Sequence, residues 1–343
     1  MMLATAGSLL LLIIFSELSA ENFKRLAPLL EARDDRLLRA TAPAGAADAL
    51  LAGRWGKLGA LSWTVGTTIP FLVFSLACHL FLPRNETADN LVIGTAVGNN
   101  VIALSLVFGL AMMRGSLTFF RIRSLTSPVF LLLAAMAFTF TALNLRITPG
   151  EGAVLLLLTA AYGFYFRSYS TEWKHFEREN PVTTLIDADD GALPVIAVIC
   201  LAVGFFVLAL LSAWPFVRTI YALAETGEIG ASKLAVHGVA LALSLPWLLR
   251  AVLSVRGSAA QRTRTLSSIS HACLLMILFL PGLNAVLHAR DLRPAFATLH
   301  LPVLLLITGI YVVSLLIEKE KGGILPAFLL VFYAVYTGVG LFL

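Results

Sequence analysis

The chain has 343 residues, 59% of them hydrophobic and only 13% charged, with a formal charge of +5. A water-soluble domain carries about 25% charged residues, so this chain has too little polar surface for a soluble globule, and a soluble enzyme is excluded. The basic residues form no stripe interleaved with aromatics and no nucleic-acid-binding motif, which leaves them to orient the chain in a bilayer.

Apolar blocks long enough to cross about 30 Å of hydrocarbon fall at 2–20, 58–82, 91–113, 126–144, 149–168, 192–217, 233–255, 266–289, 298–317 and 323–343. The expected fold is an all-α polytopic membrane protein with ten transmembrane helices. The first block reads either as a signal sequence ending in Leu18-Ser19-Ala20 or as a retained span. No Lys or Arg precedes its apolar run, which favours retention. Glu17 and Glu21 lie one helical turn apart, either as a proton or cation entrance or, for Glu21, as a partner of Lys24 or Arg25. A long cytoplasmic connection is expected over about 21–57, its first part an interfacial amphipathic helix or a solvated loop.

Lys and Arg alternate in abundance from loop to loop. Eighteen lie in the loops after spans one, three, five, seven and nine, against six in the opposite set: Arg84, Arg146, Arg218, Lys233, Arg290 and Arg293. Positive charge marks the cytoplasmic side, which predicts a multi-pass protein of the cell inner membrane with both termini outside. The loop at 169–191, with Asp187, Asp189 and Asp190, is read as a solvated acidic linker. It divides a first five-helix half, 1–168, from a second, 192–343. Cys78, Cys200 and Cys273 all lie in apolar blocks and have neither disulfide nor zinc spacing.

Each half carries a proline inside its second span, in Thr67-Thr68-Ile69-Pro70 and in Leu243-Ser244-Leu245-Pro246. Proline removes a backbone donor and crowds the preceding turn, so both helices should kink or break. Paired interruptions separated by an odd number of spans point to inverted repeats around a central site. A second paired element supports this: Gly98 to Gly109 and His271 to Gly282 both span eleven positions.

On these motifs the chain resembles the sodium/calcium exchanger, or cation/calcium exchanger, membrane superfamily. Gly66-Thr67-Thr68-Ile69-Pro70 is similar to that superfamily's Gly-Thr-Ser-Leu-Pro-Glu, and Gly98-Asn99-Asn100 to its Gly-Ser-Asn-x-x-Asn. Ser19-Ala20-Glu21-Asn22-Phe23 is similar to its Ser-Ala-Asp-x-Leu. The resemblance implies two inverted five-helix repeats and alternating movements of the halves. It also implies central glutamates that supply carboxylates to calcium, and here the chain departs from it. Phe71 follows Pro70 and Trp247 follows Pro246, while Ala103, Cys273 and Met276 stand where further ligands are expected. An aromatic ring is no anionic ligand, and calcium takes 6–8 oxygens.

The substrate-binding candidates are therefore Thr67, Thr68, Asn99, Asn100, Ser244, Arg250 and His271, with Ser75 and Thr95 as further polar groups and Phe71 and Trp247 as a gate or stacking wall. Arg250 either faces an anionic substrate, pairs with a remote carboxylate, or snorkels to the interface. His271 either carries protons or holds a structural hydrogen bond; His79 and His237 are weaker candidates near helix ends. Gly94, Gly98 and Gly109 are expected to let helices approach closely.

The leading expectation is a divergent exchanger-like transport protein for an unknown ion or small solute, without metal site, cofactor or catalytic residues. Its partners would be membrane lipids and either another membrane protein or a second copy. The alternative is a nontransporting scaffold, lipid-binding or accessory protein. A polar tunnel favours transport, whereas interdigitated Phe71 and Trp247 favour the scaffold. A membrane enzyme using Asp187, Asp189, Asp190 and His175 is a third class without a recognisable constellation.

Overall fold

A computed structural model describes residues 2–41, 56–113, 126–179, 195–226, 230–255, 259–316 and 324–342. Its helices, in chain order, are α1 (Met2–Thr41), α2 (Gly56–Phe81), α3 (Glu86–Met112), α4 (Thr126–Ala142) and α5 (Pro149–Glu179). They continue with α6 (Val195–Glu225), α7 (residues 231–255), α8 (Ala259–Leu287), α9 (residues 296–316) and α10 (Ile324–Phe342). Apolar runs of this kind have only helix available in lipid, where backbone groups must pair within their own segment. Among the described residues seven helices are long and apolar enough to cross a membrane, and Gly66–Phe81 and Pro128–Ala142 are shorter apolar helices. The protein is a multi-pass, almost wholly helical membrane protein.

Local sequence sets the helix starts. Asn85, in extended backbone, accepts the Ala88 N–H on its side chain at 3.0 Å, and Glu86 and Asp89 sit in the first turn of α3, where the helix dipole favours acids. Thr148 and Glu151 close a reciprocal capping box around Pro149 at the head of α5: Glu151 Oε2 accepts from the Thr148 N–H at 2.8 Å and Thr148 Oγ1 from the Glu151 N–H at 3.3 Å.

α3 lies at the centre. Its residues from Ala88 to Ile102 are all buried, packed by α2, α7, α8 and α9. The crossing with α7 is close because Gly98 has no side chain: a Cβ there would lie 2.3 Å from the Val236 carbonyl oxygen. α5 and α8 meet in the same way, the position of a Cβ on Gly152 falling 2.9 Å from the Gly282 oxygen. The expectation that Gly98 serves helix approach is met, and the Gly152–Gly282 contact is a further case that was not foreseen. α1 packs along α6 and α2, and Ser19 Oγ donates to the Ala202 carbonyl at 2.8 Å. α6 and α10 turn many apolar side chains outward, among them Val203, Leu211, Val331 and Phe342.

Several expectations change in detail. The connection expected from residue 21 is helical as far as Thr41, and the fifth helix continues past 168 to Glu179; the first stretch is rich in Leu and Arg and the second in Glu, which favour helix in water as well as in lipid. Residues 42–55 and the acidic run at 187–190 lie outside the described residues, as does the His175 side chain. α2 and α7 are not interrupted at Pro70 and Pro246. Irregularity appears instead as π-helical turns at Ala103–Val107, Leu234–Val239 and Phe296–His300. At one end of the bundle β1 (Arg146–Ile147) pairs antiparallel with β2 (Arg290–Asp291), joining the α4–α5 and α8–α9 connections.

Candidate functional site

Where α3 crosses α7, Asn99 meets Ser244. The Ser244 hydroxyl lies 2.6 Å from Asn99 Oδ1 and 2.7 Å from the Ala240 carbonyl oxygen, and its single proton can serve only one of them fully. Asn99 Nδ2 has no hydrogen-bond partner among the described residues. Turning the amide over would let its N–H donate to Ser244 while Ser244 donates to Ala240, but would strand the oxygen instead. Either orientation leaves one polar atom over. On the next residue Asn100 Nδ2 donates back to the Ala96 carbonyl at 2.9 Å, and Oδ1 has no partner. Both asparagines are 0% exposed, and buried amides are ordinarily satisfied. Two consecutive residues of α3, about 100° apart around the helix, each carry one unmatched amide atom.

One turn along α7 from Ser244, the Trp247 indole Nε1 donates to the Thr67 carbonyl at 3.1 Å. Pro70 leaves the Gly66 carbonyl without its helical N–H, and the indole bonds the next carbonyl along from a different helix. Phe71, one turn along α2 from Thr67, packs against Trp247 with ring centroids 5.2 Å apart at 56°. Both rings are at most 1% exposed. The rings thus interdigitate at the positions where the resemblance implies carboxylates. Thr68 is buried beside them, and Thr95 Oγ1 is bonded to its own helix at the Leu91 carbonyl.

The remaining candidates point elsewhere. Arg250 forms an ion pair with Glu17 of α1, the remote carboxylate named among its three expected partners. Glu21 pairs with Lys24 at 3.6 Å, as expected. His271, expected beside Ser244, instead hydrogen-bonds Tyr162 of α5 through Nδ1, and its neighbour Ser270 lies 2.5 Å from the Tyr311 hydroxyl of α9. Tyrosines on both flanks hold this turn of α8, so the structural hydrogen bond is the role seen. Ser75 accepts from Asn284 Nδ2 at 2.7 Å. Cys78 and Cys273 are buried and Cys200 is exposed, all as free thiols.

Two clusters were not foreseen. Arg290 and Asp89 form an ion pair with side chains 3% and 2% exposed, and Asp89 Oδ2 also accepts the Asp291 N–H at 3.2 Å. Arg290 Nε donates to the Asn284 carbonyl at 3.1 Å. In sequence Arg290 reads as one more loop residue, and nothing there signals a partner 201 positions away. The second cluster unites two of the π-helical turns: His237 stacks near Tyr336, with centroids 4.9 Å apart, and His300 Nδ1 lies 2.9 Å from the Tyr336 hydroxyl. Among the described residues no group of three or more His, Cys, Asp or Glu is placed to hold a metal ion.

No family model matches the sequence. The chain is 24% identical over 252 residues to the inner membrane protein YrbG of Escherichia coli strain K12, covering 72% of this chain and 74% of that one. In structure it is similar to the sodium–calcium exchanger NCX_Mj, with a TM-score of 0.58 at 14% identity over 98% of this chain and 99% of the other. It is similar also to native YfkE, with a TM-score of 0.64 at 13% identity over 99% and 92%. The chain has the fold of these proteins, which agrees with the exchanger resemblance carried by its motifs.

Proposed function

We propose that the protein is a transmembrane transport protein of exchanger-like architecture that moves an ion or small solute without the glutamate-based calcium site. On this reading ten spans form two inverted halves, 1–168 and 192–343, joined by the acidic linker 169–191. Both termini lie outside the cell inner membrane. The cargo sits at the crossing of α3 and α7, against Asn99, Asn100, Ser244 and the Thr67–Thr68 turn, with Phe71 and Trp247 as the wall that closes it.

The observation that carries this reading is the pair of unsatisfied amides. An apolar scaffold has no use for two buried asparagines with polar atoms left over, since each costs about 1–3 kcal/mol when unmatched. A bound polar cargo would match them. The fold likeness to NCX_Mj, described as a sodium–calcium exchanger, supports movement across the membrane. The lack of carboxylates beside Phe71 and Trp247 argues against calcium as cargo.

A second reading, a nontransporting scaffold, lipid-binding or accessory protein, is favoured by one observation: the closely packed Phe71–Trp247 pair. Reconstitution separates the two. Proteoliposomes of the purified chain, challenged with gradients of protons, sodium, potassium and calcium, should show protein-dependent flux of a species other than calcium. That flux should fall about tenfold or more in Asn100→Ala, with the fold retained. No protein-dependent flux under any gradient, with the reconstituted protein folded, would favour the scaffold.

A further inference from the structure

Arg250 follows Trp247 by one turn of α7 and therefore lies on the same face, toward the end at which α7 finishes. There it meets Glu17 of α1, each side chain about a quarter exposed. A guanidinium and a carboxylate in good register make two parallel bonds. This pair makes one, from Arg250 Nη2 to Glu17 Oε2. Glu17 Oε1 and Arg250 Nη1 are both buried without a hydrogen-bond partner among the described residues. An acceptor and a donor are therefore left over side by side.

The charged groups around Glu17 can be named element by element. α1 brings Glu21 and Lys24, the latter paired with Glu21 and 5% exposed. α7 brings Arg250. α2 brings Gly66, against which the Lys24 stem lies. α6 brings the Ala202 carbonyl that holds Ser19, with Cys200 turned to the exposed surface. Among the described side chains, two cations and two carboxylates balance. A proton on Glu17 breaks that balance, leaving the Arg250 fork without a counter-charge in apolar surroundings, where an unpaired charge is costly. One monoanion on the fork restores it, and the fork geometry suits two oxygens of a single planar or tetrahedral group.

We propose that Glu17, Lys24 and Arg250 form an oxoanion site, separate from the central amides, in which a proton on Glu17 and a small monoanionic oxoanion together replace the Glu17–Arg250 ion pair. The proton goes to the Glu17 carboxylate, the Glu17–Arg250 bond opens, and the anion's oxygens take the two arms of the guanidinium with Lys24 alongside. The net charge of the cluster is the same before and after. The oxoanion is either a soluble solute or the phosphate of an anionic lipid headgroup, since the chemistry is shared. The site requires no transport, so its test stands or falls independently of the flux assay.

The test is titration calorimetry on the full chain in phosphatidylcholine nanodiscs, with methanesulfonate, a fully ionised monoanion, as probe. If binding takes up one proton, affinity should weaken about tenfold for each unit by which pH rises across the range where uptake is seen. Glu17→Gln, which mimics the protonated acid, should bind at every pH with no proton uptake. Arg250→Lys keeps the charge but loses the fork and should bind about tenfold more weakly. Nanodiscs containing phosphatidylglycerol identify the source: suppressed methanesulfonate binding means that the headgroup occupies the site, and unchanged binding means a soluble anion. Absence of binding both to the native protein at the acid end of the pH series and to Glu17→Gln would overturn the proposal, as would binding equal in the native protein and Arg250→Lys.

Discussion

The Trp247 indole reaches across from α7 to the Thr67 carbonyl of α2 over 3.1 Å. A side chain of one helix thereby serves the main chain of another beside its proline. It also places a large ring where the exchanger resemblance implies a carboxylate, so one residue both ties the two helices together and stands in place of the anionic ligand. Trp247→Phe keeps most of the ring and loses the donor, and should cost about 1 kcal/mol of stability. Trp247→Ala also opens a cavity against Phe71 and should cost about 3–5 kcal/mol. Thermal unfolding in detergent measures both, and equal losses would show that the hydrogen bond accounts for the whole effect and the packing adds nothing.

Calcium binding is the next prediction. With Phe71 and Trp247 buried in contact and no carboxylate between them, the native protein should show no saturable binding of radiolabelled calcium in detergent. Saturable binding that disappears when the α3–α7 crossing is altered would mean that neutral oxygens alone hold the ion.

The crossing itself can be probed through Gly98. Its α-hydrogens face the Val236 backbone, and a methyl group added there would lie 2.3 Å from the carbonyl oxygen. Backbone cannot rotate out of the way as a side chain can, so Gly98→Ala should destabilise by about 1–3 kcal/mol. Gly338 on α10 has nothing within 4 Å of the same position. Gly338→Ala is the matched control and should leave the melting temperature the same or slightly higher.

Asp89 and Arg290 should behave as a unit. Asp89→Asn leaves a buried guanidinium without its counter-charge and should cost about 3–5 kcal/mol, whereas Asp89→Asn with Arg290→Gln should recover a large part of that loss. A double mutant as unstable as the two single losses added together would show that the pair is not coupled.

Much of the fold was legible in the chain because lipid reduces the choice to helix, and helix length follows from membrane thickness. The motif around Thr67 and Pro70 pointed to the exchanger fold, and Phe71 and Trp247 marked where its ion chemistry departs. Partner choice was less legible. Arg250 had three expected roles, and its pairing with Glu17 depends on a residue of another helix far away in sequence. His271 was grouped with Ser244 by repeat alignment, yet its ring hydrogen-bonds the Tyr162 hydroxyl of α5. Helix ends also ran longer than hydropathy suggests: α1 and α5 continue through charged, helix-favouring sequence where the apolar signal stops. The π-helical turns left no sequence trace, since they depend on how neighbouring backbones crowd at crossings such as Gly98 with Val236.

The Asp89–Arg290 pair also bears on how the molecule is made. α3 is the most enclosed helix, yet it is synthesised early, while the cation that neutralises its buried acid arrives 201 residues later. Asn90 waits for the same segment, accepting the Arg293 N–H at 3.0 Å. A nascent chain that has inserted α3 but not α8 therefore carries a carboxylate it has no means to neutralise, and Asp89 must stay at the water-facing rim until the later segment docks. Assembly ends by closing this rim, and a chain stopped short of residue 290 has every helix of its first half but no way to seat the central one.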